Sequence, residues 1–209
     1  YVFPGVEVKA ELIRQYPLAA ALSQVLGYVG RINEQDLTEV NPTNYAGTNF
    51  IGKVGIEKYY EPQLHGTVGY EKIETNASGQ TLRIVSTTPS TKGEDIYLTI
   101  DTSLQIAAEE ALGKDRGSVV AIDPNTGEIL ALASQPSYNP NLFVQGINNQ
   151  DFQKLQNDPD SPLYNRALRG LFAPGSVIKP FIAILGLDEN ITTPNFQLFD
   201  PGWYRVPGT

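Results

Sequence analysis

Ser176 and Lys179 stand three residues apart in the run Phe172-Ala173-Pro174-Gly175-Ser176-Val177-Ile178-Lys179-Pro180. At that spacing on a helix a hydroxyl and an amine share a face, so the amine is within reach of the hydroxyl proton. A serine is a poor nucleophile near neutral pH and needs a base, and a lysine serves as one only where burial or neighbouring cations favour its neutral form. The apolar neighbours Val177, Ile178 and Phe181 are the candidates for that desolvation. Pro180 places Ser176 at a helix entrance, because proline is tolerated only in a first turn, where an amide hydrogen has no intrahelical partner. There the Ser176 N–H is free to bind a developing oxyanion, helped by the positive end of the helix dipole. The chemistry such a pair could do is nucleophilic attack by the serine oxygen with the lysine as its base. A bland reading exists: Ser-x-x-Lys alone describes any solvated cap followed by a surface lysine. The flanking Pro-Gly and Pro, and the apolar run 181–187 behind them, distinguish this pair.

Other constellations are weaker. His65, the only histidine, lies far from Ser176 in sequence and reads as a loop histidine rather than a triad member. Gly47-Thr48-Asn49-Phe50-Ile51-Gly52-Lys53-Val54 nearly spells a phosphate-binding loop. It lacks the hydroxyl at Val54 that would hold Mg²⁺, and no buried strand leads into it. Asn76-Ala77-Ser78 and Asn190-Ile191-Thr192 are glycosylation sequons by spelling only. No cofactor and no metal site is expected. With no cysteine, thiolate chemistry and Cys-ligated zinc are excluded. Fifteen Lys and Arg against 23 Asp and Glu, a net charge of −8, argue against a nucleic-acid partner.

The elements that must carry the pair read as a mixed α+β chain. A turn at Pro17 leads into a helical run with Ala20, Leu22, Val25 and Leu26, stopped by Gly27 and followed by a strand. Residues 51–60 have helical spacing and end before Pro62. Two alternating runs, 67–75 and 81–85, flank Asn76-Ala77-Ser78-Gly79 as a β-hairpin. Residues 86–95 read as a linker, and a domain boundary falls at 93/94. Beyond it come a short strand over 96–100, a helix capped by Asp101 and ended by Gly113, and a hairpin, 117–122 and 128–133, around Asp123-Pro124-Asn125-Thr126-Gly127. That hairpin is expected inside a larger antiparallel sheet. The chain is loop-rich from Ser134 to the Ser176 run, and a buried helix follows it. No run approaches a bilayer-spanning length, and the start at Tyr1-Val2-Phe3-Pro4-Gly5 reads as mid-domain.

The Ser176 run, with Asn165-Arg166-Ala167 before it, resembles the first active-site motif of class B penicillin-binding proteins. Arg14-Gln15-Tyr16-Pro17, Gly27-Tyr28-Val29-Gly30, Gly52–Tyr60 with Leu64-His65-Gly66, Asp101 with Leu104-Gln105, Asp123-Pro124 with Thr126-Gly127, and Pro136–Asn141 resemble further landmarks of that family in the expected order. Phe199-Asp200-Pro201-Gly202-Trp203 is similar to its penicillin-binding protein 2 branch. The resemblance implies an N-terminal pedestal, or dimerisation-type, domain over 1–93, then the first part of a serine penicillin-recognising transpeptidase domain over 94–209. It implies Ser176 as nucleophile and Lys179 as its proton acceptor, acting on peptidoglycan stem peptides and acylated by β-lactams. It further implies a membrane anchor upstream of residue 1 and a place on the periplasmic face of the bacterial inner membrane. The expected partners, reached through the pedestal, are membrane-bound elongation proteins, a glycosyltransferase and scaffold proteins. Ala173 stands where the family usually has a second proline and Asn139 where aspartate is common; neither touches the chemistry. The family's second and third motifs, Ser-x-Asn and Lys-Thr-Gly, have no counterpart here, so these 209 residues alone are expected not to turn over. Asp200 has no further metal ligands in view. The alternatives are a non-catalytic pedestal that docks to partners, and a β-lactamase or sensor domain, against which the long N-terminal part argues.

Overall fold

Two stretches far apart in sequence, around Tyr16–Tyr28 and around Tyr138–Val144, share one core. A computed structural model describes residues 12–206; the expectation for the first five residues lies outside that range. Tyr16, Val29 and Val144 are buried together, with Leu26, Tyr28 and Phe50 packed against them. The Tyr28 ring stacks on Phe143 at 4.0 Å and meets Tyr138 edge-on. The side-chain amide of Asn141 pairs with the backbone of Tyr16 as a neighbouring strand would. Its Oδ1 accepts from the Tyr16 N–H and its Nδ2 donates to the Tyr16 carbonyl, each at 2.9 Å.

The chain divides at Gly170/Leu171 into two compact units. In the first, a 3-10 turn Ala19–Leu22 runs into α1 (Ser23–Leu26), and Gly27 ends it at φ +75. A Cβ on Gly27 would lie 1.9 Å from the Val54 carbonyl oxygen, so glycine is required where this turn crosses the next element. β1 (Tyr28–Arg31) then pairs antiparallel with β2 (Phe50–Val54). The helix expected over 51–60 is thus half strand: α3 (Gly55–Tyr59) starts only after β2. The ladder to β1 overrides helical spacing. α2 (Glu34–Glu39) carries a capping box between Asn33 and Asp36, and an Asp36–Lys53 ion pair ties it to β2. Pro62, expected to stop the helix, sits in the first turn of α4 (Glu61–His65), where its missing N–H does no harm.

β3 (Tyr70–Thr75) and β4 (Thr81–Thr88) form the expected hairpin, exposed along its whole length. Of the expected linker, 86–88 continue β4 and Thr91 bridges Thr67. The short strand expected over 96–100 does not form. Those residues run beside β6 without a ladder, held by Asp101 N–H to the Leu130 carbonyl and Thr99 Oγ1 to that of Ile129. α5 (Thr102–Leu112) is capped by Asp101, whose side chain accepts from the Leu104 amide. β5 (Gly117–Ile122) and β6 (Ile129–Gln135) pair as a two-stranded sheet rather than within the larger one expected. Helices supply the support instead: α5 packs on the hairpin, and so does α8 (Arg166–Arg169). Between them the loop-rich stretch holds α6 (Asn141–Val144) and α7 (Asn149–Asn157).

The second unit is one helical element: a 3-10 turn Gly175–Ile178 that passes directly into α9 (Lys179–Asp188).

Candidate active site around Ser176

Pro174 and Pro180 bracket the local geometry. Pro174 caps the 3-10 turn, and its carbonyl accepts from the Val177 amide at 3.3 Å; Gly175 opens the turn at φ +55, where a side chain is strained. The Ser176 carbonyl accepts from the Lys179 N–H, and Pro180 occupies the first turn of α9. In a 3-10 turn side chains three apart eclipse one another, so the backbone sets Ser176 and Lys179 on one face. The Ser176 amide lies in the first turn and has no intrahelical acceptor, as an oxyanion donor requires.

The side chains are less organised than the backbone. Ser176 and Lys179 are both exposed, and among the described residues no hydrogen bond joins Oγ to Nζ. The desolvation expected from the apolar neighbours is not present: Val177 is 73% exposed, Ile178 43% and Phe181 65%. Nor is α9 the buried helix expected, since Ile182, Ile184 and Leu185 are more than half exposed as well. Apolar composition removes water only where a second surface lies against it.

The segment leading into this turn is, by contrast, firmly held. Asn165 caps α8, its Oδ1 accepting from the Leu168 amide at 3.0 Å, while its Nδ2 donates to the Gln24 carbonyl in α1 at 3.0 Å. Gln24 returns the contact, with Nε2 donating to the Pro162 carbonyl at 2.7 Å. The Arg166 amide donates to Oγ of the buried Ser134 in β6 at 2.9 Å. The Arg166 guanidinium gathers the carbonyls of Asp160, Ser161 and Tyr164. Sequence reading named Asn165-Arg166-Ala167 but missed Gln24 and Ser134. A polar residue within an apolar helical run and a serine ending a strand carry no signal until the chain folds.

The remaining candidates have structural roles. His65 stacks on Tyr45 at 4.1 Å, and its Nε2 meets Thr48 Oγ1 at 3.1 Å. Residues 50–54 of the near phosphate-binding loop form β2, so no strand-to-helix phosphate cradle exists. The Asn76 carboxamide is occupied within its own turn. Asp200 Oδ1 accepts from the Gly202 amide at 2.7 Å. Among the described residues no cluster of three His, Cys, Asp or Glu is placed to hold a metal ion.

A second polar cluster lies in the first unit. Arg14 forms a two-point ion pair with the buried Glu57, at 2.9 and 3.1 Å. Glu57 also accepts from the Tyr16 hydroxyl, which itself accepts from the Val29 amide. Burial and then the charge of Glu57 push the Tyr16 phenol well above its ordinary pKa, so it stays a donor. Arg14, Val29 and Glu57 line a cavity of about 390 Å³ with Phe50, Glu61 and His65. With no nucleophile among them, they read as a structural network.

Comparison with known proteins adds a second line of support. Residues 1–98 match the Penicillin-binding Protein dimerisation domain and residues 117–209 the Penicillin binding protein transpeptidase domain. That is the order expected from the motifs. The chain is 49% identical over its full length to the Peptidoglycan D,D-transpeptidase MrdA of Escherichia coli K12, and 49% identical to that of Acinetobacter baumannii. It spans 34% and 31% of those proteins, about a third of their length. Among solved structures it matches Pseudomonas aeruginosa PBP2 in complex with WCK 5153, with TM-score 0.82 and 49% identity, over 95% of this chain and 40% of that one. It also matches Helicobacter pylori PBP2 in its complex with MreC, with TM-score 0.84 and 36% identity, over 94% and 36%.

Proposed function

We propose, from the premise that this chain belongs to the penicillin-binding protein family, that it is part of a peptidoglycan D,D-transpeptidase of cell-wall elongation whose nucleophile is Ser176. In that reaction Ser176 Oγ attacks the penultimate D-Ala carbonyl of a stem peptide while Lys179 Nζ takes its proton. The terminal D-Ala leaves, and the acyl group passes to an amine of a neighbouring strand. A β-lactam acylates the same oxygen by opening its ring. The observation that carries the reading is the Pro174-to-Pro180 turn, which puts hydroxyl, amine and a free amide on one short element within the stretch matched by the transpeptidase family. The reading requires Lys179 to be neutral when it takes the proton, because a protonated amine has no lone pair to accept one.

Labelling the full-length protein with a fluorescent penicillin tests this. The wild type is expected to take up one covalent label per chain, and Ser176→Ala none; a Ser176→Ala protein that labels normally removes Ser176 as the nucleophile.

The likeness to PBP2 in its complex with MreC supports a second role, docking. In this reading the part before about Gly93 is a pedestal that engages a scaffold partner of that kind and a membrane-bound glycosyltransferase at the periplasmic face of the inner membrane. No helix among the described residues is long and apolar enough to cross a membrane. Pull-down of an MreC-like partner by residues 1–209 is the expected result, and binding that survives without residues 1–93 would count against the pedestal.

A further inference from the structure

The β3–β4 hairpin is fastened to the first unit only at its base. Thr67 and Thr91 exchange both backbone hydrogen bonds at 2.9 Å, and the Val68 amide donates to Asn44 Oδ1 at 2.9 Å. Beyond that base both strands are exposed along their whole length, and among the described residues no other helix or strand packs extensively on either. Tyr70, Ile73, Leu82, Ile84 and Val85 are between 49% and 62% exposed. A hairpin of two strands is marginal in water, and a third strand is what makes such a sheet stable.

The two outer edges of the hairpin differ. The pairs Lys72↔Ser86, Ile73↔Ile84, Glu74↔Arg83 and Thr75↔Thr81 pass over Val85 and Leu82, so both bulges lie in β4 and break up its edge. β3 has neither bulge nor proline, and its outer edge carries no further strand among the described residues. Its side chains alternate, with Tyr70, Lys72 and Glu74 on one face and Glu71, Ile73 and Thr75 on the other. Two copies of β3 pair antiparallel about a twofold axis normal to the sheet only with a residue on that axis, because side chains that face each other share a face. Glu71, Lys72 or Glu74 on the axis would set like charges against each other. Ile73 on the axis sets Lys72 opposite Glu74 of the second copy, twice over by symmetry, and Ile73 opposite its own copy. Ile84 already faces Ile73 within the hairpin, so one face of the joined sheet carries an unbroken isoleucine row. Glu74 holds Arg83 within its own hairpin, while Lys72 makes no ion pair among the described residues.

We infer that β3 is a self-association edge: two copies of this protein join through β3 in antiparallel register about Ile73, with the strand order β4-β3-β3-β4. The inference is independent of the reading of Ser176.

The test mixes donor-labelled and acceptor-labelled populations of the full-length protein and follows energy transfer against concentration. Wild type is expected to show transfer that rises with concentration. Lys72→Glu mixed with itself, and Glu74→Lys mixed with itself, each set two like pairs face to face. Each is expected to need roughly tenfold more protein or beyond for the same transfer. Lys72→Glu mixed with Glu74→Lys restores opposite charges at both contacts and is expected to return to within about threefold of wild type. That recovery requires both variants to be folded, so it separates a register effect from a folding one. Ile73→Lys, a change at a half-exposed position, sets two ammonium groups against each other on the axis and is expected to abolish transfer. Absence of transfer in the wild type at every concentration overturns the inference. So does wild-type transfer in Ile73→Lys, or a mixed pair no better than its two components when both unfold at the wild-type temperature.

Discussion

The residues up to Gly170 and those from Leu171 onward use apolar side chains in opposite ways. In the first unit the buried apolar residues are few, and polar side chains bind them into place: Gln105, Asn141 and Ser134 each satisfy a backbone group far away in sequence. In the second, apolar residues are abundant and exposed, from Phe172 through Leu187 to Trp203. Composition therefore says little about where the stable part lies. Stability follows from whether a group has a partner, and the proposed chemistry sits in the part whose partners are fewest.

If that contrast holds, Lys179→Ala should damage activity without damaging the fold. Loss of a general base slows proton transfer by about 10²- to 10⁴-fold, so penicillin acylation of the full-length protein is expected to fall on that scale. Thermal unfolding of residues 1–209 is expected to stay unchanged, because Lys179 is exposed and makes no ion pair among the described residues. A large drop in melting temperature would show that the turn is part of a packed core.

Gln105 makes the opposite test. Its side chain is 1% exposed; Oε1 accepts from the Leu132 amide at 2.7 Å, and Nε2 donates to the Leu132 and Ala21 carbonyls at 3.1 and 3.0 Å. Gln105→Leu keeps the volume and strands those groups, so denaturant unfolding is expected to show a loss of about 3 kcal/mol. A change below about 0.5 kcal/mol would mean that water reaches β6 there.

Gln105 also shows what the sequence made legible. The helix over 102–112, its Asp101 cap and its Gly113 stop are local features, and each stands where pattern reading puts it. The buried face is another matter. Periodicity picks out Leu104 and Ile106, yet Gln105 and Ala108 are the buried residues and Leu104 is 40% exposed. What buries Gln105 is a pair of backbone groups in β6, and no local pattern encodes that. The same reason hid the contact between Tyr16–Tyr28 and Tyr138–Val144, and turned residues 51–54 from helix to strand. At the candidate site the order Pro-Gly-Ser-x-x-Lys-Pro was enough to predict a helix entrance at Ser176, because a proline is tolerated only in a helix's first turn. It was not enough to predict exposure, which depends on what lies opposite.

A smaller effect probes an ion pair at the edge of the first unit. Partial burial alone would raise the pKa of Asp36, but hydrogen bonds from Lys53 and the Asn33 amide, with the charge of Lys53, hold it below the usual carboxylate value. A folded-state pKa below the unfolded one, about 3.9 for aspartate, makes the stabilisation fully present above the unfolded value. It is lost as pH falls through the folded one. Asp36→Asn is expected to cost on the order of 1 kcal/mol at neutral pH, and the gap to wild type is expected to close as the solution is acidified below the carboxylate range. A gap that stays constant with pH would assign the loss to hydrogen-bond geometry instead of charge.

The smallest expected effect bears hardest on the contrast between the two units. Ile184 lies in the middle of α9 and is 63% exposed, whereas Val144 is 3% exposed in the core with Tyr16 and Val29. Isoleucine and serine have similar helix propensity, so Ile184→Ser changes little but apolar surface. In residues 1–209 its effect on unfolding is expected within about 0.5 kcal/mol, while Val144→Ala removes buried methyl groups and is expected to cost about 2 kcal/mol. Equal losses at the two positions would show that α9 buries its apolar face in these 209 residues, and the division between a bonded unit and an uncovered one would fall.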